Sequence, residues 1–165
     1  MTVGLRCLLV TVESDSHMWN LTYIQKVLEE QGGLVRNLGC CTPVDQVVYQ
    51  VQRWRPDLVV VSTINGHGHH GVRVLLEGLR AAGSAVPLVV GGRLSTAVAD
   101  YARIRADLLA RGCASVFVGE GAVDRLRALI RRAAAEGIAS WRPDGAGSPA
   151  EHSELGEKRD LACTS

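Results

Sequence analysis

Residues 58–70 read LVVVSTINGHGHH, four unbroken aliphatic positions running straight into a polar loop interrupted by glycine. A run of that length with no polar alternation is the pattern of a central parallel strand covered on both faces. Residues 5–12, LRCLLVTV, are a largely apolar run of strand length and end in the polar stretch ESDSH at 13–17. Residues 34–38 and the short runs at 87–90 and 115–118 predict three further strands. Helical spacing fills the gaps between them: Leu21, Ile24, Val27 and Leu28; Val44, Val47, Val48 and Val51; Val72, Leu75, Leu76 and Leu79; then stretches at 97–110 and 122–135. Gly32-Gly33 suits a helix end, and Thr42-Pro43 with Asp45 suits a helix start capped by Thr42. Strict alternation of strands and amphipathic helices predicts an α/β fold with right-handed crossovers. With five strands, the expectation is a flavodoxin-like (Rossmann-like) doubly wound parallel sheet of order 2-1-3-4-5.

Composition narrows the function. The chain has 165 residues, 47% apolar and 21% charged, with a formal charge of +1, which disfavours a polyanion-binding surface. No run reaches the length of a membrane span, and the first residues lack a secretory pattern, so a cytoplasmic protein is expected. Cys7, Cys40, Cys41, Cys113 and Cys163 contain no CxxC pair and read as reduced thiols, with Cys40 and Cys41 half-buried. From residue 140 onward the sequence loses periodicity, so residues 1–138 read as one domain and 139–165 as a poorly ordered tail.

In a 2-1-3-4-5 sheet the direction of winding reverses between strands one and three, and ligands bind beyond the carboxyl ends there. The loops at 13–20 and 62–70 should therefore line one site. Within the first, His17 follows Asp15 by two residues, so one ring nitrogen can be held by the carboxylate while the other faces a ligand. Gly91-Gly92 after strand four and Gly119 and Gly121 after strand five would allow a flat ligand to lie against the main chain.

Together these residues resemble the cobalamin-binding domain family. Asp15-Ser16-His17 is similar to its Asp-x-His, Ser62-Thr63-Ile64 to its Ser-x-Leu, and Gly91-Gly92 to its Gly-Gly, in the same order and after the same strands. The chain looks most like the small, cobalamin-binding subunits of glutamate mutase (methylaspartate mutase), over about residues 3–135. The resemblance implies a cofactor held with its benzimidazole off cobalt. His17 would be the axial cobalt ligand and Asp15 would bond the other imidazole nitrogen. Ser62 would bond the displaced base, with Thr63 and Ile64 lining the same pocket. Gly91, Gly92, Arg93, Leu94, Ser95 and Thr96 would flank the tail and corrin side chains, and Ser14, Ser16 and Met18 would meet the lower corrin face. It further implies adenosylcobalamin, conversion of L-glutamate to threo-3-methylaspartate, and a large barrel-type partner subunit carrying the substrate site. This chain alone would be inactive, and no catalytic residue is assignable on it. The family pattern Asp-x-His-x-x-Gly ends here in Asn20, and Ile64 replaces Leu. Asn20 is expected to narrow the tail pocket while leaving the loop geometry intact.

Other readings of the same topology fit less well. A receiver domain needs an Asp after strand three and a Lys after strand five, where this chain has Ser62 and Gly119. Aromatics at 4% leave a flavin poorly sandwiched. His67, His69 and His70 with His17 could hold a divalent metal, although polar loop residues touching the cofactor or a partner are the simpler reading. A stand-alone cobalamin carrier, methyl-transfer or sensing module would use the same pocket. Against methyl transfer stands the start of strand one near residue 5, with no helical cap domain before it; against a radical-SAM methylase, the lack of CxxxCxxC.

Overall fold

A computed structural model describes residues 4–140. The expected tail, apart from its first two residues, and Cys163 lie outside the described residues. Five strands alternate with five α-helices: β1 (Leu5–Val10), α1 (Met18–Glu30), β2 (Gly33–Asn37), α2 (Val44–Trp54), β3 (Leu58–Thr63), α3 (Gly68–Ala81), β4 (Leu88–Gly92), α4 (Tyr101–Ala110), β5 (Ser115–Phe117) and α5 (Ala122–Glu136). The sheet is parallel throughout and ordered β2-β1-β3-β4-β5, as the alternation implies.

Strand periodicity divides the core into two layers. Leu8, Val10, Val59, Val61, Leu88 and Val90 pack against α2, α3 and α4. Leu5, Cys7, Leu9, Leu58, Val60 and Val89 point the other way, against α1 and α5. β1 and β3 are therefore apolar on both faces, which is why neither alternates. Among the described residues two α-helices, α1 and α5, cover the second face. This becomes important at the carboxyl ends of β3 and β4.

Three local expectations change. Thr42 does not cap α2: Pro43 occupies the cap position, and the Thr42 hydroxyl, one residue too early, donates to the Gly39 carbonyl at 2.8 Å. β4 continues through Gly91-Gly92, because both glycines pair with β3, Ser62 opposite Gly91 and Thr63 opposite Gly92. The helix expected at 97–110 begins as a 3-10 turn, Val98–Asp100. Trp54, at the end of α2, lies between the Arg6 and Arg36 guanidinium groups, 4.8 and 4.6 Å from its ring centre. Among the described residues no helix is long and apolar enough to cross a membrane.

Candidate functional site

β1 and β3 are neighbours in register, Val10 beside Val61, so the loops that follow them emerge side by side. Asp15 turns back into the joint between them. A backbone bond from its N–H to the Val12 carbonyl at 2.9 Å tightens the loop, and the side chain is buried with 1% exposure. Each carboxylate oxygen accepts two hydrogen bonds. Oδ1 receives the His17 backbone N–H at 2.9 Å and the His17 ring Nδ1 at 2.6 Å; Oδ2 receives the Thr63 hydroxyl at 2.6 Å and the Ile64 N–H at 2.8 Å. Burial alone would push the Asp15 pKa up, but the donors from Thr63, His17 and Ile64 outweigh it and hold the carboxyl down at about 2. Asp15 is thus an anion at neutral pH and can only accept.

That charge settles the chemistry of His17. The bond to an acceptor-only carboxylate places a proton on Nδ1 and points Nε2 away from Asp15. The His17 side chain is 51% exposed, so Nε2 faces the open rim while its ring is held from behind. An imidazole in this tautomer, backed by an anionic acceptor, is a competent ligand for a first-row transition metal.

Beside this dyad a cleft of about 340 Å³ opens between α1 and α5, over the ends of β3, β4 and β5. Its size falls in the lower part of the range that buries small ligands. Of the expected residues, Ser62, Ile64, Gly91, Gly92, Arg93 and Gly119 line it. A Cβ on Gly91 would lie 3.1 Å from the Phe117 carbonyl, and one on Gly92 only 2.0 Å from that of Thr63. At Gly92, with φ +105°, glycine is required by both space and backbone conformation. The absent side chains leave a floor of bare backbone against which a flat group can lie.

The remaining expected residues sort into supports and rim. Thr63 does not line the cleft: it is fully buried, with its hydroxyl committed to Asp15. Leu94 is likewise 1% exposed and belongs to the core on the opposite face of the sheet. Its aliphatic side chain is drawn into that layer, so it supports the loop rather than meeting a ligand. Ser14, Ser16, Met18 and Thr96 are exposed on the rim, Ser14 accepting a 2.9 Å bond from the Asn65 amide that ties the two loops together. Ser95 is partly buried and accepts from the Ala97 N–H, while Gly121 begins α5 outside the cleft lining.

Asn20 enters the cleft as expected. From the first turn of α1 its side-chain amide donates to the Ser62 hydroxyl oxygen at 2.8 Å. Sequence reasoning missed Tyr23, Ile24, Phe117, Ala122, Val123 and Leu126, which form the walls. Ile24 and Leu126 sit on the inward stripes of α1 and α5 and Phe117 ends β5, all marked by their period as core, whereas Tyr23 is half exposed and Ala122 and Val123 open α5. The signal available was the spacing of Asn20 with Ile24 and of Ala122 with Leu126, a polar or small residue one turn before a large apolar one.

The histidines after β3 do not gather. His69 Nε2 lies 2.7 Å from Asp107 on α4, and the His69 ring holds that carboxyl below its usual range. Among the described residues no group of three or more His, Cys, Asp or Glu could share one metal ion. Cys40 is partly buried, but Cys41 is exposed, at φ +51° where its N–H reaches the Asp15 carbonyl at 2.8 Å. Burial, with Asp57 nearby, pushes the Cys7 thiol up to about 12 and leaves it unreactive.

The B12 binding domain family matches residues 5–129. The glutamate mutase sigma subunit of Halobacterium salinarum is 32% identical over 95 residues, 58% of this chain and 64% of that protein. Glutamate mutase sigma subunit 1 of Haloarcula marismortui is 30% identical over 113 residues, covering 68% of this chain and 75% of that one. Among solved structures, a chain of the methanol:cobalamin methyltransferase complex from Methanosarcina barkeri superposes with a TM-score of 0.63. That match covers 82% of this chain and 48% of the other at 19% identity, a likeness of fold. The matches thus span just under two thirds of the Halobacterium subunit and about half of the methyltransferase chain.

Proposed function

Because this chain belongs to the B12-binding domain family and its cofactor is cobalamin, we propose that it is the corrinoid-holding small subunit of a two-component carbon-skeleton mutase of the glutamate mutase type. The observation that carries the reading is the His17–Asp15 pair: a buried anion fixing an imidazole beside a cleft walled by α1 and α5, the two joined by Ile64, which donates its N–H to Asp15 and lines the cleft. His17 would hold the cobalt through Nε2, with Asp15 fixing the imidazole's tautomer and raising its basicity. Thr63 and the Ile64 N–H hold Asp15 in turn, so the ligand's orientation is set from β3 as well as from its own loop.

The cleft receives the nucleotide tail. Ser62 supplies the polar contact to the displaced base, Gly91 and Gly92 allow the base to approach the backbone, and Ile64 and Arg93 stand at the opening. Bound adenosylcobalamin supplies homolytic Co–C chemistry, and the protein's own part is binding, orientation and the choice of axial donor. The substrate, L-glutamate in this reading, and the acid–base groups would belong to a larger barrel-type subunit. The relatives' names support the mutase assignment. The ordering of 1–138 as the binding domain, with a dispensable segment after it, is part of the same proposal. Truncation after Ile138 should leave the melting temperature of the domain nearly unchanged, and a large drop would contradict it.

Two measurements test the reading. Desalted protein should retain cobalamin, and the Co(II) form in nitrogen-15-labelled chain should show superhyperfine coupling to a protein nitrogen that disappears in His17→Ala; coupling that survives the substitution refutes the ligand assignment. Mixing the chain with a glutamate mutase large subunit, adenosylcobalamin and L-glutamate should yield 3-methylaspartate only when both proteins are present. Corrinoid retention with no turnover, but with methyl transfer from the chain loaded with methylcobalamin to an added thiol, would move the chain to the carrier class.

A further inference from the structure

The polar side chains facing each other inside the cleft are Asn20 and Ser62, forty-two positions apart in sequence, and they are bonded to one another. The Asn20 amide donates to Ser62 Oγ at 2.8 Å, and this is the one hydrogen bond of the Ser62 side chain among the described residues. Ser62 is 5% exposed, between Val61 and Thr63 on β3, and its backbone pairs with Gly91, so Oγ is held at a fixed depth. A serine hydroxyl normally turns to suit its partner, donating or accepting. Here an N–H already occupies a lone pair of Oγ, and the proton of Ser62 is left uncommitted. Of the wall side chains Ile24, Phe117, Ala122, Val123 and Leu126 are apolar, and Tyr23, half exposed, is the one that carries a hydroxyl.

We infer that Asn20 is a positioning residue that fixes Ser62 as a hydrogen-bond donor, and that the cleft thereby selects corrinoid tails ending in a flat base with an acceptor nitrogen over tails ending in a nitrogen-free phenyl ring. The inference rests on the cobalamin reading and sharpens it. A ring carrying an acceptor meets an uncommitted donor in a largely apolar enclosure. A phenolic tail would bury the Ser62 hydroxyl without a partner, the situation that gives polar sites their discrimination. Asn20 would thus be more than a bulky replacement for glycine at the loop–helix junction.

The experiment measures dissociation constants of cobalamin, a p-cresolyl cobamide and tail-less cobinamide for the full chain and four variants: Asn20→Asp, Asn20→Gly, Ser62→Ala and the Asn20→Asp/Ser62→Ala pair. Asn20→Asp preserves shape and reverses polarity, because a carboxylate accepts the Ser62 proton and turns the hydroxyl away from the ligand. The ratio of the cobalamin constant to the cresolyl constant should rise about fivefold in Asn20→Asp and in Ser62→Ala, and no further in the pair. Base detachment in free cobalamin is common to all variants and cancels in the ratio, as does any repulsion between the new carboxylate and the tail phosphate. Cobinamide affinity should stay constant, since cobinamide never reaches the pair. An unchanged ratio in Asn20→Asp overturns the inference. So does Asn20→Gly binding both tailed corrinoids more tightly with the ratio intact, which would make Asn20 an obstruction and nothing more. Failure of the unmodified chain to bind any of the three, cobinamide included, overturns the cobalamin reading itself and this inference with it.

Discussion

Replacing Asp15 by Asn changes one atom in the most heavily bonded side chain of the site, and its cost can be worked from four contacts. The carboxylate accepts from His17 N–H and Nδ1 on one oxygen and from Thr63 Oγ1 and Ile64 N–H on the other. An amide keeps one acceptor and presents an NH₂ to the second pair. Turned toward β3, it finds that Thr63 can rotate to accept, but the Ile64 N–H is left facing another donor. Turned toward α1, it forces the proton of His17 onto Nε2 and orphans the His17 backbone N–H. Either way one buried backbone donor loses its partner, at about 1–3 kcal/mol, and the surviving bonds lose their ionic strengthening. We expect Asp15→Asn to lower unfolding free energy by about 3 kcal/mol at neutral pH.

The pH dependence supplies an independent check. Asp15 falls from an ordinary 3.8 to about 2 in the folded chain. A carboxyl whose folded pKa lies below its unfolded value stabilises the protein above the unfolded value, and that stabilisation drains away as pH falls through the folded one. The difference corresponds to about 2 kcal/mol, lost between about pH 4 and pH 2. Urea unfolding of both proteins across this range isolates it, because every other carboxyl titrates in both and cancels. The gap between wild type and Asp15→Asn should close by about 2 kcal/mol on acidification. A gap under about 0.5 kcal/mol at neutral pH, or one that stays constant down to pH 2, would refute the four-contact account of Asp15.

Three further outcomes follow from neighbouring contacts. Gly92→Ala must displace the Thr63 carbonyl, 2.0 Å from the new methyl, and strain a φ of +105°; thermal unfolding should show a loss of about 3 kcal/mol or more, and a wild-type melting temperature would exclude so close an approach. Thr63→Val removes the hydroxyl donated to Asp15, so carbon-13 titration should find the Asp15 carboxyl shifted up from about 2, with stability lower by about 1–2 kcal/mol; an unmoved titration would assign the low value to other donors. Trp19 is 85% exposed two positions after His17, so Trp19→Phe should leave stability within about 0.5 kcal/mol and abolish most of the fluorescence quenching that cobalamin binding produces. Quenching that persists would place the bound corrin away from α1.

Much of the fold is legible because its signals are short-range. β1 and β3 announce themselves by apolarity on both faces, and α3 by Val72, Leu75, Leu76 and Leu79 in one stripe. The extension of β4 through Gly91 and Gly92 is not, since two glycines carry no strand propensity and are held there by pairing with Ser62 and Thr63. The cap of α2 is misread for a similar reason. Thr42 and Pro43 both suit a helix start, and which of them ends at the cap depends on the turn that carries Thr42 back to Gly39. The site shows the same division. Ser62, Gly91 and Gly92 are found from motif and placement, whereas the walls of the cleft use residues whose periodicity is that of ordinary core.

The Asp15–His17 bond spans two residues, so one loop's covalent geometry brings the groups within reach and the sequence alone can announce it. The alternation of strand and helix determines the sheet order almost as directly, because crossover handedness leaves few ways to wind it. What only the folded chain decides are the contacts made across the sheet: Asp15 with Thr63 over forty-eight positions, Asn20 with Ser62 over forty-two, and the space left where α1 and α5 part above β3 and β4. These follow from which strands lie side by side, how far each continues, and how closely two helices pack. Such properties belong to many residues at once, and no short stretch of the sequence carries them.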